Sequence, residues 1–186
     1  METLNIDKEK AINAYQEGSD EQRQVLEELF GVETFRSKNV MERVKTFEDA
    51  CRELGKDHPF VLAYQNTNLC DPEVADDNKD ILACLKLRII TAALNEGWKP
   101  KLTIGEYRYF PYFRLYSGED IIRMSEEEQS SVVYLSSGSV SYAYADDVSG
   151  YVYAYFGSRL AFKTKELAEY AGKQFIKLYA NYLACI

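Results

Sequence analysis

Basic residues collect at one place in an otherwise acidic chain. Between Gly157 and Lys177 there are five Lys and Arg against two acidic residues. Arg159, Lys163 and Lys165 fall there with the hydroxyls of Ser158 and Thr164, where a strand should run into a helix. The free N–H groups and dipole of a helix start favour negative charge. A phosphate or nucleotide site on Arg159, Lys163, Thr164 and Lys165 is the chemistry this implies. No GxxxxGK[ST] or GxGxxG loop precedes it, and a solvated strand face with a first helical turn accounts for the same residues.

A second group is aromatic. Most of the 15 tyrosines lie between Trp98 and Phe156. By strand alternation Tyr142 and Tyr144 share one face, and Tyr151, Tyr153 and Tyr155 share another. Such rows can stack a base, grip a ring or form a protein interface, because the ring supplies area and the hydroxyl tolerates water. Tyrosines that rim a core and pair across strands give the same pattern. Of the functional readings, an interface on these five tyrosines is preferred.

Tyr144-Ala-Asp-Asp147 resembles the Tyr-x-Asp-Asp motif of reverse-transcriptase palms, where a hairpin offers carboxylates to two metal ions. Such a palm needs a further aspartate on an earlier strand, and residues 81–143 supply only Asp120. Asp146-Asp-Val-Ser-Gly150 therefore reads as the polar tip of a hairpin. The one histidine, His58, precedes Pro59 in an irregular stretch with no nucleophile assigned to it. Cys51, Cys70, Cys84 and Cys185 show no metal-ligand spacing, so buried free thiols are expected and no metal or cofactor. No GxSxG or HExxH motif occurs. The chain leans away from an enzyme.

The elements that must position these residues follow from composition and period. The 186 residues fit one domain, with 46% hydrophobic and 28% charged residues. Residues 1–80 carry 10 Lys and Arg against 19 Asp and Glu, and residues 81–186 carry 12 against 11. A formal charge of −8 argues against coating nucleic acid. No basic-then-apolar leader stands at Met1 and no apolar run reaches a membrane span, so a cytoplasmic protein is expected. Helices are expected over residues 7–17, from the Ser19–Gln22 capping box to Gly31, over 40–54 with a break at Thr46, and over 81–95 with Ile81, Leu82, Leu85, Ile89, Ala92 and Ala93 inward. Residues 56–80 read as a long loop with room for a short turn of helix. Strands are expected near 107–116, 132–135, 140–145, 151–156 and 159–163, with Pro111 at an edge or bulge. A terminal helix over 165–183 follows, capped by Thr164, with Ala168 and Gly172 as a small-residue strip. The fold class is α+β. A helical subregion over 1–97 precedes an antiparallel meander of about four or five strands with the terminal helix on the sheet.

Glu42-Arg-Val-Lys-Thr-Phe-Glu-Asp-Ala-Cys-Arg-Glu-Leu-Gly55, Ala93-Leu-Asn-Glu-Gly-Trp-Lys-Pro100, Tyr109-Phe-Pro-Tyr-Phe113 and the run from Gly157 to Phe175 together resemble a group of small uncharacterised proteins encoded by phages, prophages and mobile elements of Bacteroides-like bacteria. The resemblance spans about residues 7 to 183. It implies a provenance and carries over no activity, cofactor or site. The expectation is thus a phage or mobile-element interaction module that uses its tyrosines for self-association or a protein partner, in the host cytoplasm or as a virion component. The alternative is a protein that sequesters a nucleotide or other phosphorylated ligand at Arg159, Lys163, Thr164 and Lys165. Convergence of those cations on a concave site separates the two.

Overall fold

A computed structural model describes residues 6–135, 138–151 and 158–183. It divides into two compact units, one up to Asn39 and one from Val40 onward. The first holds α1 (Lys8–Glu17), α2 (Asp20–Phe30) and α3 (Val32–Phe35). Asp7 caps α1 by accepting from the amides of Glu9 and Lys10, and Ser19 and Gln22 close a capping box on α2. Arg23 donates to the Tyr15 carbonyl at 3.0 Å, and the Tyr15 and Phe35 rings stack 4.6 Å apart.

The second unit runs through α4 (Val40–Arg43), α5 (Phe47–Leu54), α6 (Pro59–Gln65), α7 (Pro72–Ala75) and α8 (Lys79–Leu94). The stretch expected as loop is largely helical turns. His58 caps α6 with Pro59 in its first turn, where a missing N–H costs nothing, and 3-10 turns flank α7. Thr46 breaks the chain between α4 and α5 because its hydroxyl and the Asp49 carboxylate form a capping box. On α8 the buried apolar residues are Ala83, Leu87, Ile89, Ile90, Ala93 and Leu94, while Ile81 is exposed. The expected inward face is therefore rotated. The cause is that α8 lies between α5 and α6 on one side and the last helix on another, so no single stripe dominates it.

Next come β1 (Arg108–Tyr116), α9 (Gly118–Ile122), α10 (Glu126–Ser130), β2 (Val133–Leu135) and β3 (Gly138–Val148). The three strands form an antiparallel sheet in the order β1-β3-β2. The described residues thus hold an α+β fold with fewer strands than the four or five expected. Of the expected strand at 151–156, residues 152–156 lie outside the described residues. The expected strand at 159–163 is a single bridge, Phe162 to Tyr109, with bonds of 3.1 and 2.9 Å. Leu160 and Phe162 are buried as the alternation implied, yet residues 158–160 form a turn.

The other edge of that short extended segment is completed by a side chain. Asn95, 3% exposed, donates from Nδ2 to the Ala161 carbonyl at 2.8 Å and accepts the Lys163 amide on Oδ1 at 3.0 Å. Phe162 faces β1 while its two neighbours face Asn95, so the segment is satisfied on both sides without a further strand. Asn95 reaches it because α8 ends there, with Glu96 at φ 49° and Gly97 at φ 85° reversing the chain.

Two helices close the chain, α11 (Lys165–Gln174) and α12 (Ile176–Leu183), where one was expected. At Phe175 the backbone leaves helical angles, with φ −110° and ψ 26°. The break lets α11 lie on β1 and β3 while α12 turns along α8, two directions one straight helix cannot follow. Gly172 makes the first contact close. A Cβ there would stand 2.7 Å from Pro111 Cβ and 2.7 Å from the Tyr142 ring. One core joins the layers, from Val44, Ala50 and Val61 through Leu87, Ile90 and Leu94 to Ala145, Phe162, Ala168, Ala171 and Tyr179.

An ion-pair chain ties α4, α5 and the end of α8 to the segment before α11. Arg43 binds both oxygens of Glu53, at 3.0 and 3.2 Å, and Glu96 at 2.7 Å, while Lys163 meets the other Glu96 oxygen at 3.0 Å. Hydrogen bonds from Arg43 and Lys163 hold the Glu96 carboxyl below its usual pKa. A carboxyl lowered in the folded state adds stability above its unfolded pKa, and that contribution is lost as pH falls through the lower folded value. Glu96→Gln is therefore expected to flatten the loss of stability between about pH 5 and pH 3. Urea denaturation of both forms across that range is the check, and parallel slopes would refute it.

Candidate ligand-binding cleft

The cleft is built mainly from the second half of α8. Arg88, Thr91, Ala92 and Asn95 follow one another at i, i+3, i+4 and i+7, so they form one stripe. Opposite them the Ser158–Ala161 turn brings Ser158 and Arg159, His58 and Phe60 come from the start of α6, and Trp98, Pro100 and Leu102 come from the loop after α8. Together they enclose about 920 Å³. That is the upper part of the size range of small-molecule sites.

Its electrostatics oppose those of the molecule. In a chain of net charge −8, the cleft is lined by Arg88, Lys99 and Arg159 and, among the described residues, by no aspartate or glutamate. Arg88 lies over the Phe60 ring, its guanidinium carbon 4.3 Å from the centroid, a cation–π contact. Arg88 and Arg159 both act on the Cys84 thiol, drawing its pKa down against a larger upward push from burial. His58 spends Nδ1 on the Phe60 amide at 3.2 Å, so the neutral ring carries its proton on Nε2 and is a donor there.

Four buried side-chain polar atoms among the described residues have no hydrogen-bond partner: Arg88 Nε, Thr91 Oγ1, Ser158 Oγ and Tyr179 Oη. Three of the four belong to residues that line this cleft. Thr91 is only 3% exposed, so its hydroxyl cannot turn to bulk water. An unmade bond at such a site costs about 1–3 kcal/mol. These atoms are closed off from solvent, so the unmade bonds lie within the wall of the cleft and not on its open surface.

The residues singled out in the sequence are spread more widely. Arg159 lines the cleft. Lys163 is drawn away to Glu96, and Thr164 spends its hydroxyl on capping α11, accepting from Leu167 N at 3.3 Å. Lys165 is exposed at the start of α11. Arg88, Thr91, Trp98 and His58 were not assigned to this site. A signal for two of them was present, since Arg88, Thr91 and Asn95 are polar residues at steps of three and four in the otherwise apolar stretch 87–95.

The tyrosines also separate. Tyr112 pairs with Tyr144 and Phe113 with Tyr142, so Ala143 is an extra residue that bulges β3. The bulge reverses the alternation, and Tyr142 and Tyr144 lie on opposite faces rather than one. Tyr142 sits under α11, against the Gly172 position with Lys173 5.1 Å from its ring centre. Tyr144 is 53% exposed and stacks on Tyr112, centroids 5.1 Å apart and planes 4° apart. Tyr151 is exposed and its carbonyl accepts from Arg108 at 2.7 Å, while Tyr153 and Tyr155 lie outside the described residues. Asp146 and Asp147 are not at a hairpin tip. They sit within β3 opposite Phe110 and Tyr109, and Gly150, at φ 74°, supplies the bend beyond. No cluster of three or more His, Cys, Asp or Glu suited to a metal occurs among the described residues, and none of their helices is long and apolar enough to cross a membrane. Compared with protein-family models, curated proteins and solved structures, the chain has no match.

Proposed function

We propose that this chain is a binding protein whose cleft between α6, α8 and the Ser158–Ala161 turn takes a small anionic ligand. The observation that carries the reading is the meeting of Arg88, Lys99 and Arg159 in one concave site that, among the described residues, no carboxylate lines. Binding fits better than catalysis, since His58 has committed Nδ1 to a helix cap and no nucleophile is bonded to it. The provenance implied by the sequence resemblance suits a sequestering role, in which binding without turnover is the activity. Native mass spectrometry of protein purified from its own host background tests this. A retained small mass, absent from an Arg159→Gln variant, is the expected result, and a ligand-free spectrum for both together with no response to added anions would refute it.

Thr91 also gives a prediction about stability. Thr91→Val keeps the β-branched shape and removes the unpartnered hydroxyl, so the ligand-free protein should gain about 1 kcal/mol. A loss on urea denaturation would mean that the hydroxyl is satisfied within the free protein.

A second reading has its own support. The sheet face away from α11 presents exposed Tyr144 stacked on half-buried Tyr112, and Tyr134 on β2 is 57% exposed. Exposed tyrosines on an open sheet face suit self-association. Sedimentation of wild type and Tyr144→Lys tests it, and a concentration-independent monomer would exclude it.

A further inference from the structure

We infer that the ligand of the cleft is an amphipathic organic acid, an anionic head on an apolar body about 10 Å long; this rests on the ligand-binding reading above. The first argument is that the cleft has two chemically different ends. Arg88 and Arg159 form one of them. Both line this cleft and also a smaller concavity beside it, with Cys84, Leu85 and Tyr182, so the two arginines stand together at the border of the two spaces. Both lie near enough to Cys84 to draw its thiol pKa down. Arg88 is half-buried and Arg159 exposed, so each keeps part of its side chain on the open surface.

Trp98, Pro100 and Leu102 form the other end, beyond the last turn of α8. Leu102 is 73% exposed and Ile104, two residues on, is 92% exposed, so the described residues leave this apolar wall uncovered. Ala92 on α8 and Phe60 beneath Arg88 extend the apolar surface toward the arginines. The length follows from the helix that floors the cleft. Arg88 and Asn95 stand at i and i+7 on it, and at about 1.5 Å per residue the stripe between them runs about 10 Å. An extended carbon chain of about eight atoms covers that distance.

A bare anion uses only half of this. It would meet the arginines and leave most of about 920 Å³, with the indole wall, in water. An uncharged apolar molecule would strip water from the arginines and return nothing to them. An acid of the stated length meets both ends. Lys99 beside Trp98 is exposed, and its flexible stem lets the ammonium stay in water, so it attracts an anion to the cleft without holding a second acidic group.

Trp98 is the chain's one tryptophan, so its fluorescence reports from the apolar end. The experiment titrates the full chain with acetate, butanoate, hexanoate, octanoate and dodecanoate. Octan-1-ol, octylammonium, octanedioate and inorganic phosphate are the comparisons, and calorimetry runs in parallel to catch binding that leaves the indole unchanged. Affinity should rise roughly 2- to 4-fold per methylene from butanoate to octanoate and level off before dodecanoate. Octanoate should bind about 10-fold or more tighter than octan-1-ol or octylammonium. Arg159→Gln, a change at an exposed side chain that should leave melting unchanged, is expected to weaken octanoate about 10-fold and octan-1-ol not at all. Leu102→Asn, also at an exposed position, should flatten the rise with chain length.

Affinity independent of chain length would overturn the apolar body while leaving an anion-binding cleft in place. Octanedioate tighter than octanoate would do the same, because the far end would then hold charge. An undiminished rise through dodecanoate would overturn the length. Octanoate binding indifferent to both variants would overturn the assignment to this cleft. A response to inorganic phosphate and to no carboxylate would overturn this inference alone. Octan-1-ol equal to octanoate, or no response to any probe by either readout, would overturn both the inference and the reading it rests on.

Discussion

Asn95→Ala is expected to destabilise the protein by about 3 kcal/mol, and to disable the cleft well beyond the lost side chain. The amide of Asn95 makes two bonds, to the Ala161 carbonyl and from the Lys163 amide, within a site where Asn95 and Ala161 are 3% and 1% exposed. Truncation leaves a buried acceptor and a half-buried donor unpaired, each worth about 1–3 kcal/mol. It also opens one edge of the segment that carries Ser158 and Arg159 into the cleft. Two measurements separate these consequences. Urea denaturation reads the first, and amide exchange at Lys163 reads the second, since that N–H should lose protection at denaturant concentrations where the core strands keep theirs. Asn95→Asp retains an acceptor for Lys163 but places a carboxylate against the Ala161 carbonyl, so it should not rescue. A cost below about 1 kcal/mol in Asn95→Ala would mean that solvent replaces both bonds, contrary to the burial of the site.

The local devices of this fold were legible in the sequence, because each is a matter of neighbours. The Ser19–Gln22 capping box, the interruption at Thr46 and the cap at Thr164 are all where residue types put them. Pro111 was expected at an edge or bulge; β1 is an edge of the described sheet, and the register shift comes just after the next residue, Tyr112, opposite the bulge in β3. What the sequence hid was substitution across distance. The alternation at 159–163 is genuine, but a side chain from residue 95 occupies the place of a neighbouring strand, and no local period records that. The bulge at Ala143 is likewise silent, since Ser-Tyr-Ala-Tyr-Ala alternates without a break and only pairing with β1 shows the extra residue.

The candidate site was legible only in part for the same reason. Arg159 stood out because other cations surround it in the chain, yet Lys163 is bound by Glu96, 67 residues away, and Lys165 lies in solvent. The partners that Arg159 does share a cleft with, Arg88, Thr91, His58 and Trp98, come from three other segments. Their common property is a place on one concave surface, which exists only once the chain is folded.

The close approach of α11 to the sheet predicts the other large effect. Gly172→Val is expected to destabilise the protein by about 3 kcal/mol or more, and Gly172→Ala by less, although alanine favours a helix over glycine by about 1 kcal/mol. Alanine brings a Cβ to 2.7 Å from Pro111 Cβ and from the Tyr142 ring, distances that real contacts do not adopt. Pro111 Cβ belongs to a ring fused to the strand, so it cannot swing aside. Tyr142 is hemmed in by Phe113 at 6.3 Å between centroids and by Lys173 above. The helix itself must therefore lift, and with it the buried Ala168, Ala171 and Leu167 that fasten it to the core. Gly118 supplies the contrast, since a Cβ there meets nothing within 4 Å and the residue opens α9 at an ordinary φ. Gly118→Ala should be neutral or stabilising by up to about 1 kcal/mol. If the two alanine variants unfold at the same denaturant concentration, α11 does not depend on glycine for its distance from the sheet, and the tight seam between Gly172, Pro111 and Tyr142 is not what sets the position of the helix.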